Sequence, residues 1–176
     1  MVLFVPWFSA SRTMEEAFFS ALIKSVVGWI PSIWNRIFKK KPLSIDEIKR
    51  RTQILFVDDE SFDDYLLTNI RQAGWNVMQL KDIHDLDSEA IRSATIIFMD
   101  YKGVGAALTP SEEGIGLMKA LRHKYPDKHI IFYSGYAGFI PGHEVHGIAD
   151  AWIQKNADPY VYIERIEAAA RAIYDK

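Results

Sequence analysis

The feature that most constrains the fold is a short apolar run at residues 95–100 that ends in a carboxylate. The apolar residues 96–99 are followed directly by Asp100 and then by a turn-like stretch that contains Gly103 and Gly105. A β-branched and aromatic run of this length is typical of a strand that is buried on both faces of a parallel sheet. Ligands of such sheets bind beyond the carboxyl ends of the strands, so Asp100 lies where a binding or catalytic site is expected.

Similar apolar runs alternate with helix-like segments from residue 53 onward. Strands are predicted at 54–57, 75–80, 95–100, 128–133 and 151–154, and helices at 61–73, 85–94 and 112–123 and from 159 to the C-terminus, with a weak helix at 138–150. Ser61, Ser111 and the pair Asp158-Pro159 are placed to begin three of these helices. Such alternation predicts an α/β fold with a five-stranded parallel sheet and helices on both faces.

Residues 1–41 differ from the rest and predict an apolar, amphipathic helical extension. Apolar residues recur at spacings of three and four between Met14 and Phe38, Pro31 is expected to kink the helix, and three lysines close it at 39–41. We therefore divide the chain into this extension, a linker at 42–52 that carries a polar helix, and an α/β domain at 53–176.

The apolar stripe of the extension has to be covered, and two alternatives remain open. Lys24 and Arg36 bracket eleven uncharged residues, whereas a membrane span needs roughly twenty. A cleaved signal peptide is disfavoured because no positive region precedes the apolar stretch. The stripe either packs on protein (a second copy, a partner or the body of the chain) or lies on a membrane surface, with the lysines against anionic lipid.

The charge distribution argues against a nucleic-acid-binding body. Residues 1–50 hold eight Lys and Arg against four Asp and Glu, a net +4, whereas the totals of 21 and 23 leave thirteen against nineteen for the remainder, a net −6. An acidic body repels nucleic acid. Cysteine is absent, which excludes disulfides and thiolate chemistry and fits a cytoplasmic, reducing location.

Polar residues follow four of the five predicted strands. Asp58 and Asp59 follow the first strand, Asp100 the third, Ser134 the fourth and Lys155 the fifth. Because parallel strands present their carboxyl ends at one edge, we expect these side chains to converge. Clustered carboxylates repel one another unless a cation neutralises them. Oxygen ligands without His or Cys favour Mg²⁺, which we predict to be held by the three aspartates.

This combination suits the transfer of a phosphoryl group to an aspartate. Asp100, the lone carboxylate at the end of a central strand, is the predicted acceptor and would become an acyl phosphate. Mg²⁺ and Lys155 would neutralise the phosphoryl oxygens, and the Ser134 hydroxyl would donate to one of them.

At these residues the chain from about Gln53 onward resembles a response-regulator receiver domain of two-component signalling, which has the flavodoxin-like fold. The resemblance includes the acidic pair in Ile-Leu-Phe-Val-Asp-Asp-Glu, the acceptor Asp100, Ser134 and Lys155. It implies that the backbone carbonyl of Lys102 completes the metal site and that Trp152 is the aromatic switch. It also implies a signalling module rather than an enzyme, with a histidine kinase or phosphotransfer protein as donor and a downstream protein as target.

The sequence also departs from the family in ways that bear on function. Asn156 follows the lysine where the family usually has proline, the loop from Tyr101 to Glu113 is long, and Trp152 is bulkier than the usual Tyr or Phe. No effector domain is recognisable after the last helix, so we expect a stand-alone receiver that acts through protein contacts or through residues 1–41.

Two alternatives stand beside the phosphoacceptor hypothesis. The first is a receiver-like interaction module that works through its N-terminal helix without phosphorylation. The second is a phosphohydrolase with an aspartate nucleophile. The second is disfavoured because Lys102 stands two residues after Asp100, where such enzymes carry their general acid.

Overall fold

The centre of the structure is a five-stranded sheet in which every pairing is parallel. The computed structural model describes residues 20, 42–60, 64–135 and 145–175. The strands are β1 (Gln53–Val57), β2 (Asn76–Leu80), β3 (Ile96–Asp100), β4 (His129–Ser134) and β5 (Ala151–Gln154), in the spatial order β2-β1-β3-β4-β5. The predicted α/β fold with five parallel strands is confirmed.

Five helices accompany the sheet in the described residues. They are α1 (Ile45–Arg51), α2 (Asp64–Gln72), α3 (Glu89–Ser93), α4 (Glu113–Lys124) and α5 (Pro159–Tyr174). Apolar residues of α1, α2 and α5 pack on one face of the sheet, and those of α3 and α4 pack on the other. The sheet is therefore covered on both faces, as the continuous apolar character of its strands requires.

The alternation of side chains along the central strands divides the core into two layers. Phe56, Phe98 and Tyr133 face α2 and α5, whereas their neighbours Leu55 and Phe132 face α4. The rings of Phe56 and Phe98 stack with centroids 4.3 Å apart and an interplanar angle of 6°. Each fully buried ring contributes about 1.5–3 kcal/mol to folding, so the centre of the sheet is well fixed.

Helix α1 belongs to the core of the α/β unit. Ser44 and Glu47 form a reciprocal capping box at its start, and Ile48 is fully buried. The Tyr174 hydroxyl of α5 donates to the carbonyl of Arg51 at 2.9 Å. Residues 43–176 form one compact unit, so most of the segment that the sequence suggests as a linker is packed against the domain.

Residues 1–42 form a second unit. Apart from Ser20, which is helical and exposed, the predicted extension at 1–41 lies outside the described residues. So do the capping box at Ser61 and most of the weak helix at 138–150. In the part of the chain that the structure describes, no helix combines the length and the apolar character needed to cross a membrane.

Two helices differ from their predicted bounds. Helix α3 is shorter than predicted, because Asp85 accepts a hydrogen bond from the Asp87 amide at 2.8 Å and forms a turn. Helix α4 begins at Glu113, one residue later than predicted, and its N-cap residue is Glu112 rather than Ser111.

Candidate functional site

The strand register aligns the carboxyl ends of β1, β3, β4 and β5. Val57 is level with Met99, Asp100 is level with Tyr133, and Ser134 is level with Gln154. Asp58 therefore follows β1 beside Asp100, and its amide donates to the carbonyl of Leu80 at 3.0 Å. The register brings the acidic residues to one short stretch of the carboxyl edge.

Three aspartates converge at this edge. Asp58, Asp59 and Asp100 each offer an oxygen, and these oxygens lie within 4.8 Å of one another. Asp58 and Asp100 are only 1% and 7% exposed, whereas Asp59 is exposed. Carboxylates this close and this buried are stable only when positive charge compensates them. The predicted acidic cluster therefore exists in the fold.

Lys155 supplies positive charge to the cluster. Its Nζ lies 2.8 Å from Asp58 Oδ2, 3.0 Å from Asp100 Oδ2 and 3.0 Å from Glu60 Oε2. Burial by itself would lower the pKa of Lys155, but the hydrogen bonds to the three carboxylates outweigh burial and raise the pKa. Lys155 is therefore a permanent cation at the centre of the site.

Asp100 lies at the base of a cleft. Its Oδ1 accepts a hydrogen bond from the Tyr101 amide at 2.7 Å. Burial raises the pKa of Asp100 above its ordinary value, and the bond to Lys155 only partly opposes this effect. The cleft has a volume of about 380 Å³ and is lined by Asp100 together with Lys102, Ser134 and Lys155. A small anionic group can therefore reach Asp100.

The loop after β3 is shaped to receive the carboxylate of Asp59. Gly103 has φ +78°, and a Cβ added there would lie 2.1 Å from Asp59 Cγ. Gly105 has φ +80°, and its amide donates to Asp82 Oδ1 at 2.5 Å. Glycine is required at 103 both for its positive φ and because the carboxylate occupies the space of a side chain.

Backbone hydrogen bonds hold Lys155 in place even though the residue after it is Asn156. The Lys155 amide donates to the carbonyl of Ser134 at 2.8 Å. The buried Tyr162 hydroxyl donates to the carbonyl of Lys155 at 3.0 Å. These two bonds join Lys155 to β4 and α5, so the side chain reaches the aspartates without a following proline.

Two residues at the site were not foreseen from the sequence. The Tyr133 hydroxyl donates to Asp58 Oδ2 at 2.7 Å, and Glu60 contacts Lys155. Tyr133 is one of several aromatic residues in buried strands, so its residue type alone signals packing. Only its position beside Ser134, at the strand end, could have drawn attention to its hydroxyl.

The other predicted residues occupy different places. Ser134 is buried and lines the cleft beside Asp100, and Lys102 is exposed at the same cleft. The role of the Lys102 carbonyl stays a prediction. Trp152 is 44% exposed and does not line the cleft of Asp100; it lines a different pocket of about 150 Å³ together with residues such as Val145 and His146.

Comparison with known proteins identifies the fold. No protein-family model matches the sequence, and no curated protein matches it. A CheY-like response regulator receiver domain protein from Methanospirillum hungatei JF-1 is similar over 70% of this chain and 97% of its own, with a TM-score of 0.56 and 21% identity. An orphan response regulator of H. pylori is similar over 68% of this chain and 97% of its own, with a TM-score of 0.51 and 16% identity.

NtrX from Brucella abortus, solved in complex with ATP, is similar over 70% of this chain, with a TM-score of 0.55 and 20% identity. The match covers 28% of that NtrX chain, so this chain corresponds to only a part of it. Together with the strand order, these likenesses show that the sheet and its helices have the fold of response regulator receiver domains.

Proposed function

We propose that this protein is a phosphoacceptor module of two-component signalling that takes a phosphoryl group on Asp100. The observation that carries the proposal is the contact of one ammonium group, Lys155 Nζ, with both Asp58 and Asp100 at the carboxyl edge of the sheet. The receiver fold supports the same function. The proposed donor is a phosphohistidine on a histidine kinase or a phosphotransfer protein.

In the proposed phosphoryl transfer, Asp100 is the nucleophile. A carboxylate oxygen attacks phosphorus, an O–P bond forms, and the bond from phosphorus to the donor's leaving atom breaks with its electron pair staying on the donor. Lys155 would stabilise the charge on the phosphoryl oxygens, and Ser134, which lines the cleft, would donate to one of them.

The donor set fits a hard divalent cation, in particular Mg²⁺. Asp58, Asp59 and Asp100 would hold it, and the predicted Lys102 carbonyl would add a neutral ligand. The space over Gly103, which accommodates Asp59, supports this assignment because it brings a third carboxylate next to two buried ones. A bound Mg²⁺ would neutralise phosphoryl charge during transfer.

The output of the module is proposed to be a change in protein contacts. Ser134 ends β4 and is level with Gln154 of β5. Movement of Ser134 toward a phosphoryl group would therefore reach β5 and the exposed Trp152. The target protein and the contacts of residues 1–41, with protein or with a membrane surface, remain predictions of the sequence.

A direct test uses a small-molecule phosphodonor, acetyl phosphate, with Mg²⁺ and the full chain. We expect the mass of one phosphoryl group to be added to the wild type but not to Asp100→Asn. The added group should be labile to hydroxylamine, as an acyl phosphate is. Failure of the wild type to react, or modification of Asp100→Asn to the same extent, would reject the proposal in favour of a phosphorylation-independent module.

A further inference from the structure

Tyr133 brings a second hydroxyl group to the site, from a residue next to Ser134. Side chains alternate along a strand, so Tyr133 and Ser134 leave β4 on opposite faces. Tyr133 is fully buried on the α2 and α5 side, and its hydroxyl lies 2.7 Å from Asp58 Oδ2. The end of β4 therefore supplies one hydroxyl to Asp58 and another to the cleft that Asp100 lines.

The two oxygens of Asp58 have unequal surroundings. Oδ2 accepts from the Tyr133 hydroxyl at 2.7 Å and lies 2.8 Å from Lys155 Nζ. Oδ1 accepts from the Glu60 amide at 2.9 Å. Each carboxylate oxygen accepts about two hydrogen bonds. Oδ2 is therefore saturated, and Oδ1 keeps a lone pair for a further ligand.

The ring of Tyr133 is held rigidly, so the position of its hydroxyl is well defined. Phe56 and Phe98 contact the ring edge-on, with centroids 6.0 and 6.2 Å away and interplanar angles of 77° and 72°. Lys155 Nζ lies 5.8 Å from the ring centroid. A side chain fixed by packing and bonded to one carboxylate oxygen prevents that carboxylate from rotating.

We propose that Tyr133 is a positioning residue, which holds Asp58 so that Oδ1 is the oxygen presented to a divalent cation. The inference rests on the proposed function, because it concerns the same metal site. Removal of the hydroxyl leaves a buried carboxylate with one partner fewer and therefore freer to rotate. Loss of such an outer hydrogen bond weakens metal binding by about 10- to 100-fold.

The test is calorimetric titration of Mg²⁺ into the full chain, with wild type, Tyr133→Phe and the control Tyr125→Phe. The Tyr125 hydroxyl donates to the carbonyl of Leu86 at 2.9 Å, in a different part of the domain. Tyr133→Phe should cost more stability than Tyr125→Phe, because the Tyr133 hydroxyl is bonded to a buried carboxylate whereas Tyr125 is only partly buried. The affinity for Mg²⁺, and not thermal stability, is therefore the readout of positioning. We expect the Kd for Mg²⁺ to rise about 10- to 100-fold in Tyr133→Phe and to stay unchanged in Tyr125→Phe.

The dependence of the phosphorylation rate on Mg²⁺ concentration distinguishes a role of Tyr133 in metal binding from a role in the transfer itself. In Tyr133→Phe, phosphorylation by acetyl phosphate should need more Mg²⁺ for half-maximal rate but should approach the wild-type rate at saturating Mg²⁺, since Asp100 and Lys155 are intact. In the wild type, Mg²⁺ should also change the near-ultraviolet absorption of tyrosine. That measurement does not depend on the folding of any variant.

The outcomes distinguish this inference from the function on which it rests. If the wild type binds Mg²⁺ and is phosphorylated but the two variants bind it equally well, the role of Tyr133 is rejected and the function stands. Absence of the tyrosine absorption change in the wild type also counts against the role of Tyr133. If the wild type neither binds Mg²⁺ nor takes a phosphoryl group, both proposals fall.

Discussion

The ammonium nitrogen of Lys155 lies 3.0 Å from Asp100 Oδ2, although Asn156 follows the lysine where proline was expected from the resemblance. The Tyr162 hydroxyl, bonded to the Lys155 carbonyl at 3.0 Å, takes part in fixing the backbone at this point. The orientation of the Lys155 side chain therefore depends on the buried Tyr162 hydroxyl of α5 as well as on the backbone bond to β4.

Tyr162→Phe should leave the fold intact but loosen Lys155. Loss of the hydroxyl removes hydrogen bonds to the carbonyls of Lys155 and Gln154, at a cost of about 1 kcal/mol in the free energy of unfolding. The rate of phosphorylation should fall several-fold, since Lys155 would be less well placed. Tyr174→Phe is the matched control, because its hydroxyl donates to the Arg51 carbonyl away from the site. Equal phosphorylation rates in the two variants would contradict the prediction.

Asp100→Asn should raise the melting temperature at neutral pH in metal-free buffer. Burial raises the pKa of Asp100 above the ordinary 3.8, so the charged form is disfavoured in the folded state. A group with a raised pKa adds stability that is fully present below its unfolded pKa and is lost as the pH rises through the folded value. Asparagine carries no charge, so the variant does not lose this stability at neutral pH. The difference in melting temperature between Asp100→Asn and the wild type should disappear as the pH falls toward 3.8.

The measurement is thermal unfolding of both proteins in a chelator between about pH 4 and pH 8. The exposed Asp127→Asn serves as a control for the loss of one negative charge. A lower melting temperature for Asp100→Asn at pH 7 would show that the pair with Lys155 outweighs burial. Addition of Mg²⁺ should stabilise the wild type more than Asp100→Asn, because Asp100 is a proposed ligand.

Glu60→Gln should speed phosphorylation by a small-molecule donor. Glu60 is 74% exposed, and its Oε2 lies 3.0 Å from Lys155 Nζ, so it competes with an incoming phosphoryl group for the ammonium and repels an anionic donor. Exposed ion pairs are weak, so an increase of about two- to fivefold in the initial rate is expected. Glu112→Gln, which removes the exposed partner of Lys119, is the control. A slower reaction in Glu60→Gln would show that Glu60 promotes phosphorylation and does not compete with the phosphoryl group for Lys155.

The fold and the charged part of the site could be predicted because they depend on strand ends. Buried runs identify the strands, and in a parallel sheet the residues that follow them must meet at one edge. The convergence of Asp58, Asp100 and Lys155 follows from this rule. Helix ends were less accurate, because they depend on local turns such as that at Asp85.

The supporting hydroxyl groups could not be predicted from the sequence. Tyr133 and Tyr162 lie in apolar stretches where an aromatic residue is expected for packing alone. Their partners, Asp58 and the carbonyl of Lys155, are set by strand register and by the docking of α5, which sequence periodicity does not specify. The close approach of Asp59 to Gly103 is a tertiary contact of the same kind.

Gly103→Ala should abolish or strongly weaken Mg²⁺ binding, because an alanine Cβ would lie 2.1 Å from Asp59 Cγ and force that carboxylate away. The positive φ of +78° adds a strain of about 1–2 kcal/mol for any L-residue. Gly147→Ala is the control for backbone strain alone, because Gly147 has φ +80° and an added Cβ there would have no atom within 4 Å. Both variants should lose similar stability, but only Gly103→Ala should lose Mg²⁺ affinity in calorimetric titration. If Gly103→Ala binds Mg²⁺ as Gly147→Ala does, Asp59 is not a ligand, and the metal would have to be held by Asp58 and Asp100 without it.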